Sequence, residues 1–431
     1  MSQKNNAIKN ILIVNVYGSS NSGDAALLDS LINSIYLAFG SNINIEGIAY
    51  LPELEKEKYP AIYWYRRFGT SYQKNIFLRR FLNLYYQILC LLYFGILNLG
   101  FKPFNFFALP TSQRQGIDSL FNSDIVISCP GGYFEDSNYS YISNLIPIYF
   151  ACKFNKIVTL APQSIGPINS RIGKLLVKST LSKVDLICLR EKISYYFTKD
   201  VLDIPQNKLV LTHDMAFFLK SSVGLDKNYY IQKVKDDLNF DLTKPFVGLS
   251  VISWSFPQSQ DPISARQKYI QNLAILCKLI IDNLSMPVLI INQVNEDLPA
   301  TLELNAQVSS GLFFYDHHFR DLHFLKFIIS QSSVFIGSRF HSCIFSLMSQ
   351  VPTIAISYLP KTRGIMQELN LSERVHEIDA FNPESIFKQV LNDLNNKDQV
   401  SELIRNKVSD YQGLYPQFSE LLQKTQNNEN S

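Results

Sequence analysis

The feature that most constrains this chain is an alternation. Short, nearly uninterrupted apolar runs recur, each followed by a stretch whose apolar residues have helical spacing. Residues 11–17 form such a run, and 25–39 then place Leu28, Leu31, Ile32, Ile35 and Phe39 three or four apart. Runs of strand length return at 125–128, 157–161, 186–189 and 209–212, with helical stretches between them. A strand apolar on both faces belongs inside a parallel sheet covered by crossover helices. Residues 221–244 turn polar and charged, and after Pro245 the alternation restarts. It runs strand 247–254, helix 265–284, strands 288–292 and 312–315, helix 321–330, strand 334–337, helix 341–349 and strand 353–357. This order predicts an α/β protein with two Rossmann-like parallel-sheet domains facing a cleft. The first is expected over 1–222 and the second over 245–385, followed by C-terminal helices and a frayed tail at 386–431. With 431 residues, 46% of them hydrophobic, the chain is long enough for two cores.

A net charge of +3 excludes a general nucleic-acid binder but allows a locally basic pocket. The six cysteines, at 90, 129, 152, 188, 277 and 343, form no CxxC pair and read as buried thiols in a reducing compartment. The polar start runs straight into the first strand without a cleavage site, so the expected location is the cytoplasm. Within an apolar insertion at 81–107, residues 81–101 carry no charge and are flanked by Arg79, Arg80 and Lys102. The length suits a membrane span of roughly 20 residues. Asn83, Gln87 and Asn98 interrupt it, however, and a span would divide the first domain. The preferred expectation is a buried or membrane-surface helix, giving peripheral membrane contact suited to lipid-linked glycans.

In a parallel sheet the ligand site lies beyond the carboxyl ends of the strands, and the motifs fall there. The loop from Gly18 to Asp24 has Walker-like glycine spacing, but Asp24 stands in place of the lysine, which weakens a nucleotide-phosphate reading. Asp24 reads as a helix cap first. The alternative is that Asn21 and Asp24 bind sugar hydroxyls and Asp24 takes a proton. Gly131 and Gly132 after the next strand allow backbone amides near a ligand, or simply a tight turn. Gln163 and Ser164 end another strand and suit a hydroxyl or carboxylate. Arg190 ends the following one, as an anion clamp or as half of a surface pair with Glu191; Asp214 ranks below it. The densest cluster is Gly337-Ser338-Arg339-Phe340-His341, where a buried strand meets a helix start. Free amides there favour an anion, Arg339 and His341 add donors, and Lys361 follows the next strand. No Gly-x-Ser-x-Gly elbow is present, which argues against a serine hydrolase. Asp316, His317, His318 and His323 lack clean metal-ligand spacing and read as a solvated loop, so no metal is expected.

Taken together, 18–28 (GSSNSGDAALL), 130–132, 162–167 (PQSIGP), Arg190 with Ser194, 213–217, 337–341 (GSRFH), 351–358 (VPTIAISY) and Lys361 resemble the polysaccharide pyruvyl transferase family over about 10–372. A third glycine is common in the family where Cys129-Pro130 precedes the glycine pair. The resemblance implies a GT-B-like architecture, with phosphoenolpyruvate as co-substrate and a sugar diol, free or lipid-linked, as acceptor. No cofactor is implied. It assigns Arg190, Arg339, Lys361 and Ser338 to the donor, and Asn21, Gly23, Gly132, Gln163 and Ser164 to the acceptor. His341 and Asp24 become the catalytic pair, His341 as acid or as helper of phosphate departure. A nucleotide-sugar-dependent glycosyltransferase and a non-enzymatic glycan-binding subunit are the competing expectations.

Overall fold

The apolar runs form inner strands because a residue buried on both faces leaves only ladder bonds for its backbone. The computed structural model describes residues 9–71, 73–101, 108–136, 141–219, 226–315 and 321–427. Its first half runs β1 (Asn10–Val16), α1 (Ser22–Phe39), β2 (Asn44–Ala49), α2 (Pro52–Lys58), β3 (Tyr63–Arg66), α3 (Ile76–Asn98), α4 (Thr111–Asn122) and β4 (Ile125–Ser128). It continues with β5 (Gly131–Phe134), α5 (Tyr141–Lys153), β6 (Ile157–Ile165), α6 (Arg171–Leu181), β7 (Leu186–Leu189), α7 (Lys192–Tyr196) and β8 (Leu209–Leu211). The second half runs α8 (Lys227–Leu238), β9 (Val247–Ser250), α9 (Pro262–Leu284), β10 (Val288–Ile290), α10 (Leu298–Asn305), β11 (Leu312–Phe314) and α11 (Leu322–Ser330). After it come β12 (Val334–Gly337), α12 (Phe340–Met348), β13 (Thr353–Ser357), α13 (Pro360–Glu368), β14 (Val375–Glu377), α14 (Pro383–Asn395), α15 (Lys397–Leu414) and α16 (Phe418–Asn427).

Two compact units result. Unit 1 takes residues within Met1–Ser19, Leu27–Met215 and Tyr415–Ser431; unit 2 takes Ser20–Ala26 and Ala216–Leu414. Among the described residues, unit 1 holds an eight-stranded sheet in the order β3-β2-β1-β4-β6-β7-β8, with β5 pairing β6. Unit 2 holds six strands in the order β11-β10-β9-β12-β13-β14. The pairings are parallel, for example β1 with β4 and β12 with β9. The helical stripe of α1 is buried as its spacing predicts, with Leu28, Leu31, Ile32 and Ile35 inaccessible or nearly so. Burying each such side chain contributes roughly 1.5–3 kcal/mol.

The C-terminal segment expected at 386–431 is not one body. Helices α14 and α15 lie in unit 2, and from Tyr415 the chain belongs to unit 1. There the Tyr415 backbone N–H donates to His213 Nε2 at 3.3 Å, Thr212 Oγ1 donates to the Pro416 carbonyl at 3.0 Å, and Leu422 is fully buried. The frayed end at 428–431 and the loop with Asp316, His317 and His318 lie outside the described residues.

Among those residues, α3 alone has the length and composition to cross a membrane. Asn75 caps it by accepting from the N–H groups of Phe77 and Leu78. Leu89, Cys90, Tyr93, Phe94 and Leu97 enter the core of unit 1. Phe94 stacks on Phe150 of α5 at 3.9 Å, and Tyr93 donates to Asp118 at 3.0 Å. The helix lies on unit 1 with one face in the core.

Candidate active site

In unit 2 the carboxyl ends of β9, β12 and β13 carry the densest set of expected residues. Strand β12 ends at Gly337, where Cys343, on the helix that follows, occupies the place a side chain would take. A Cβ there would lie 2.3 Å from the Cys343 sulfur. The chain then turns over the end of β9: the Ser338 N–H donates to the Ser250 carbonyl at 3.0 Å and the Arg339 N–H to Ser250 Oγ at 3.2 Å. Ser338 is buried, its hydroxyl 2.9 Å from that of Tyr269, which also accepts from the Ile252 N–H. Burial pushes the Tyr269 hydroxyl up to about 12, so it stays protonated. These bonds fix the first turn of α12.

Arg339 stands at the start of α12 and grips Asp297 bidentately, Nε to Oδ2 at 2.7 Å and Nη2 to Oδ1 at 2.6 Å. Asp297 is fully buried and its Oδ1 also accepts from the Ser253 N–H. Burial acts to lower the guanidinium pKa, but Asp297 outweighs it and the net shift is upward. The arginine is therefore aimed by a buried carboxylate, and the pair enters the site with its charge largely balanced. Lys361 occupies the first turn of α13, its Nζ 5.6 Å from the centroid of Phe340 and 6.0 Å from that of Tyr358. Phe340 is the first residue of α12, so the lysine reaches the same helix start as Arg339.

His341 follows, half-buried, and Gly23 lies against it. A Cβ on Gly23 would fall 2.1 Å from His341 Nδ1 and 2.6 Å from Cγ. Only hydrogen fits there. Gly23 belongs to the Ser20–Ala26 piece of unit 2, so one expected acceptor residue and the expected acid share one spot. Asn21 Oδ1 accepts from the Gly23 N–H at 2.9 Å, and the Asn21 carbonyl accepts from Ala25. Asn21 thus supplies the cap that the sequence reading gave first to Asp24. Asp24 sits half-buried in the first turn of α1.

Unit 1 holds the other expected residues. Arg190 is 1% exposed. Its Nη1 donates to Asp214 Oδ2 at 2.7 Å and its Nε to Ser164 Oγ at 2.7 Å, while Glu191 lies 3.5 Å away. The alternative of a surface Arg–Glu pair is corrected, since both side chains are buried. Burial opposes the Arg190 charge, but Asp214 and Glu191 hold its pKa above the ordinary value. Burial raises Glu191 despite the arginine beside it. Ser164 joins this network by donating to Glu191 at 3.1 Å. Gln163, fully buried, donates to the Cys129 carbonyl, and its Oε1 has no hydrogen-bond partner among the described residues. Gly132 sits half-buried within β5.

Several residues of these edges went unread in the sequence. In unit 2, Asp297 aims Arg339, and Gln293 accepts from Ser342 at 3.1 Å while its buried Nε2 has no partner among the described residues. In unit 1, Glu55 accepts from the Ser19 N–H at 2.6 Å and from its hydroxyl at 2.7 Å, holding the start of the glycine loop. Tyr17 and Tyr133 stack at 4.2 Å with the Arg67 guanidinium 5.0 Å from the Tyr17 ring. Position just after a strand was the available signal for Gln293. For Glu55 there was none. A cavity of about 320 Å³ at the opposite, amino edge of the unit 1 sheet is lined by Asn10, Asn44, Glu46 and Tyr63 and holds none of the expected residues.

A family model for polysaccharide pyruvyl transferase matches residues 21–360. The amylovoran biosynthesis protein AmsJ of Erwinia amylovora is 22% identical over 419 residues, covering 92% of this chain and 95% of that protein. Among solved structures, S. aureus MnaA with UDP aligns at TM-score 0.59 and 9% identity, covering 98% of this chain and 97% of that one. A glycosyltransferase from Rickettsia africae ESF-5 aligns at 0.57 and 12%, with the same coverage. At such identities the structural likeness concerns the fold, two parallel-sheet α/β domains of GT-B type.

Proposed function

This chain belongs to the polysaccharide pyruvyl transferase family, and from that premise we propose that it transfers a pyruvyl group from phosphoenolpyruvate to a pair of sugar hydroxyls, forming a pyruvate ketal. The observation that carries this reading is the meeting of Gly23 and His341, beside Arg339 and Lys361 at one helix start. A ketal-forming transferase needs an acid beside the acceptor and cations on the donor, and these residue types supply both.

In the proposed course, His341 delivers a proton to the methylene carbon of the enol phosphate, leaving an oxocarbenium-like centre at the adjacent carbon. A sugar hydroxyl attacks it while Asp24 orients the hydroxyl or takes its proton. The C–O bond to phosphate then breaks, and the second hydroxyl closes the ketal. Of the two hydroxyl protons lost, one balances the new methyl C–H and the other leaves on phosphate. Arg339, Lys361 and Ser338 attend the donor's charges. Arg190 serves by positioning, since it holds Ser164 and Asp214 rather than solvent. Asn21 and Gly23 shape the acceptor side. This scheme uses no metal or cofactor. The free cysteines suit the reducing cytoplasm, and peripheral membrane contact through 81–101 suits a lipid-linked acceptor.

The test is turnover. Purified protein incubated with phosphoenolpyruvate and a panel of free and lipid-linked sugars is expected to release one phosphate for each ketal gained by mass. A ketal-free panel with no phosphate release, repeated with nucleotide sugars that are consumed, would transfer the assignment to a glycosyltransferase.

A further inference from the structure

We infer that unit 1 docks on an anionic lipid bilayer through the outer surface of α3, α5 and α6. The first observation is an apolar stripe. On the side of α3 away from the core, Phe77 is 81% exposed, Phe81 67%, Leu84 58%, Ile88 48% and Leu92 54%. Their spacing of four, three, four and four keeps them in one row along the helix. Leu99, just past its end, is 72% exposed. Large aromatic and aliphatic side chains in an unbroken row mark a binding surface rather than ordinary scatter.

A second helix extends the row. On α6, Ile172 is 74% and Leu175 66% exposed. Both helices border the first turn of α5. Gln87 of α3 donates to Ser143 at 3.4 Å, and a Cβ on Gly173 of α6 would meet the Tyr141 hydroxyl at 2.4 Å. Between them, Ile142 is 42% exposed. Right-handed crossovers put α3, α5 and α6 on the same face of the sheet, so their solvent-facing sides form one surface.

Charge decides the occupant. The three helices contain six basic residues, Arg79, Arg80, Lys153, Arg171, Lys174 and Lys178, and no acidic one; of these, Lys178 is paired with Asp203 at 2.7 Å. A second copy meeting this face symmetrically would set like charges against each other. A bilayer bearing anionic headgroups satisfies both the apolar row and the basic rim. With its inner face locked into the core, α3 lies along the interface. The inference sharpens the peripheral contact of the functional reading, and it is read without turnover, so its failure and that of the transfer reaction are separable.

Vesicle flotation tests it with the full chain. Wild-type protein should float with phosphatidylglycerol-containing vesicles, less so as salt rises, and much less with phosphatidylcholine alone. The triple variant Phe77→Ser, Phe81→Ser, Leu84→Ser, its fold checked by circular dichroism, should lose vesicle partitioning by roughly tenfold or more. Arg79→Gln with Arg80→Gln and Arg171→Gln should remove the preference for anionic lipid. Wild-type protein that stays unbound with both vesicle types would overturn the proposal, as would binding unchanged in the triple variant. So would a stable dimer by light scattering that the triple variant dissolves, since the occupant would then be a second copy.

Discussion

Replacing Gly23 by alanine tests the junction between the glycine loop and His341. The new Cβ would lie 2.1 Å from Nδ1, 2.6 Å from Cγ and 3.0 Å from Cβ of His341. Every one of these atoms belongs to a short ring-bearing side chain at the start of α12, so either the imidazole or the first turn of α1 must move by about 1 Å. On propensity alone alanine favours a helix over glycine by up to about 1 kcal/mol, so unfolding should not dominate. A displacement of about 1 Å in a catalytic group costs roughly 100-fold in rate. Phosphate release from phosphoenolpyruvate with a working acceptor is therefore expected to fall about 100-fold in G23A. The thermal midpoint should move by only a few degrees. In an H341A background the ring contacts are gone and only the 3.0 Å approach to the retained Cβ remains, so the double-mutant cycle should show G23A costing much less there than beside the imidazole. G23A that keeps wild-type turnover, or that costs as much with His341 absent as with it present, would refute the reasoning.

Three further expectations follow from the same geometry. Arg190→Met removes the buried guanidinium that pairs with Asp214 at 2.7 Å and faces Glu191 at 3.5 Å, and should destabilise the protein by about 3–5 kcal/mol in chemical denaturation; a loss below about 1 kcal/mol would contradict the buried network. Lys361→Met should weaken phosphoenolpyruvate binding about tenfold or more by calorimetry and flatten its salt dependence, whereas unchanged affinity would remove Lys361 from the donor site. Burial raises the folded-state pKa of Glu55 above 4.5, so its stabilising share is complete below that pH and is lost as pH rises through the folded value. Glu55→Gln mimics the protonated form, and its melting temperature relative to wild type should climb from pH 4.5 towards neutrality; a gap that stays constant or shrinks would contradict this.

What the sequence made legible is the part governed by local periodicity. Apolar runs at 11–17 and 334–337 can satisfy their backbones only in a covered sheet, and the strand-end rule then selects the glycine loop and GSRFH. What stayed hidden depends on contacts far along the chain. Glu55 lies in the charged stretch PELEKEK, and only the fold brings Ser19 to it. Asp297 is paired with Arg339 across forty-two positions. A strand-end arginine looks the same in sequence whether it points outward or, as Arg190 does, inward to two carboxylates. The stretch at 81–101 carries no charge to separate its faces, so composition could not tell core from surface. Tertiary packing decided it, through Phe94 and Phe150. The strands 247–254 and 288–292 end earlier than their apolar character suggests, at Ser250 and Ile290, because the following residues leave the ladder to build the site's loops.

Titration of the purified protein with phosphoenolpyruvate and, separately, with UDP tests the central claim most directly. The proposed function predicts a saturable heat with phosphoenolpyruvate that Arg339→Met and Lys361→Met each reduce, and no saturable heat with UDP. Saturable binding of UDP with silence towards phosphoenolpyruvate would contradict it.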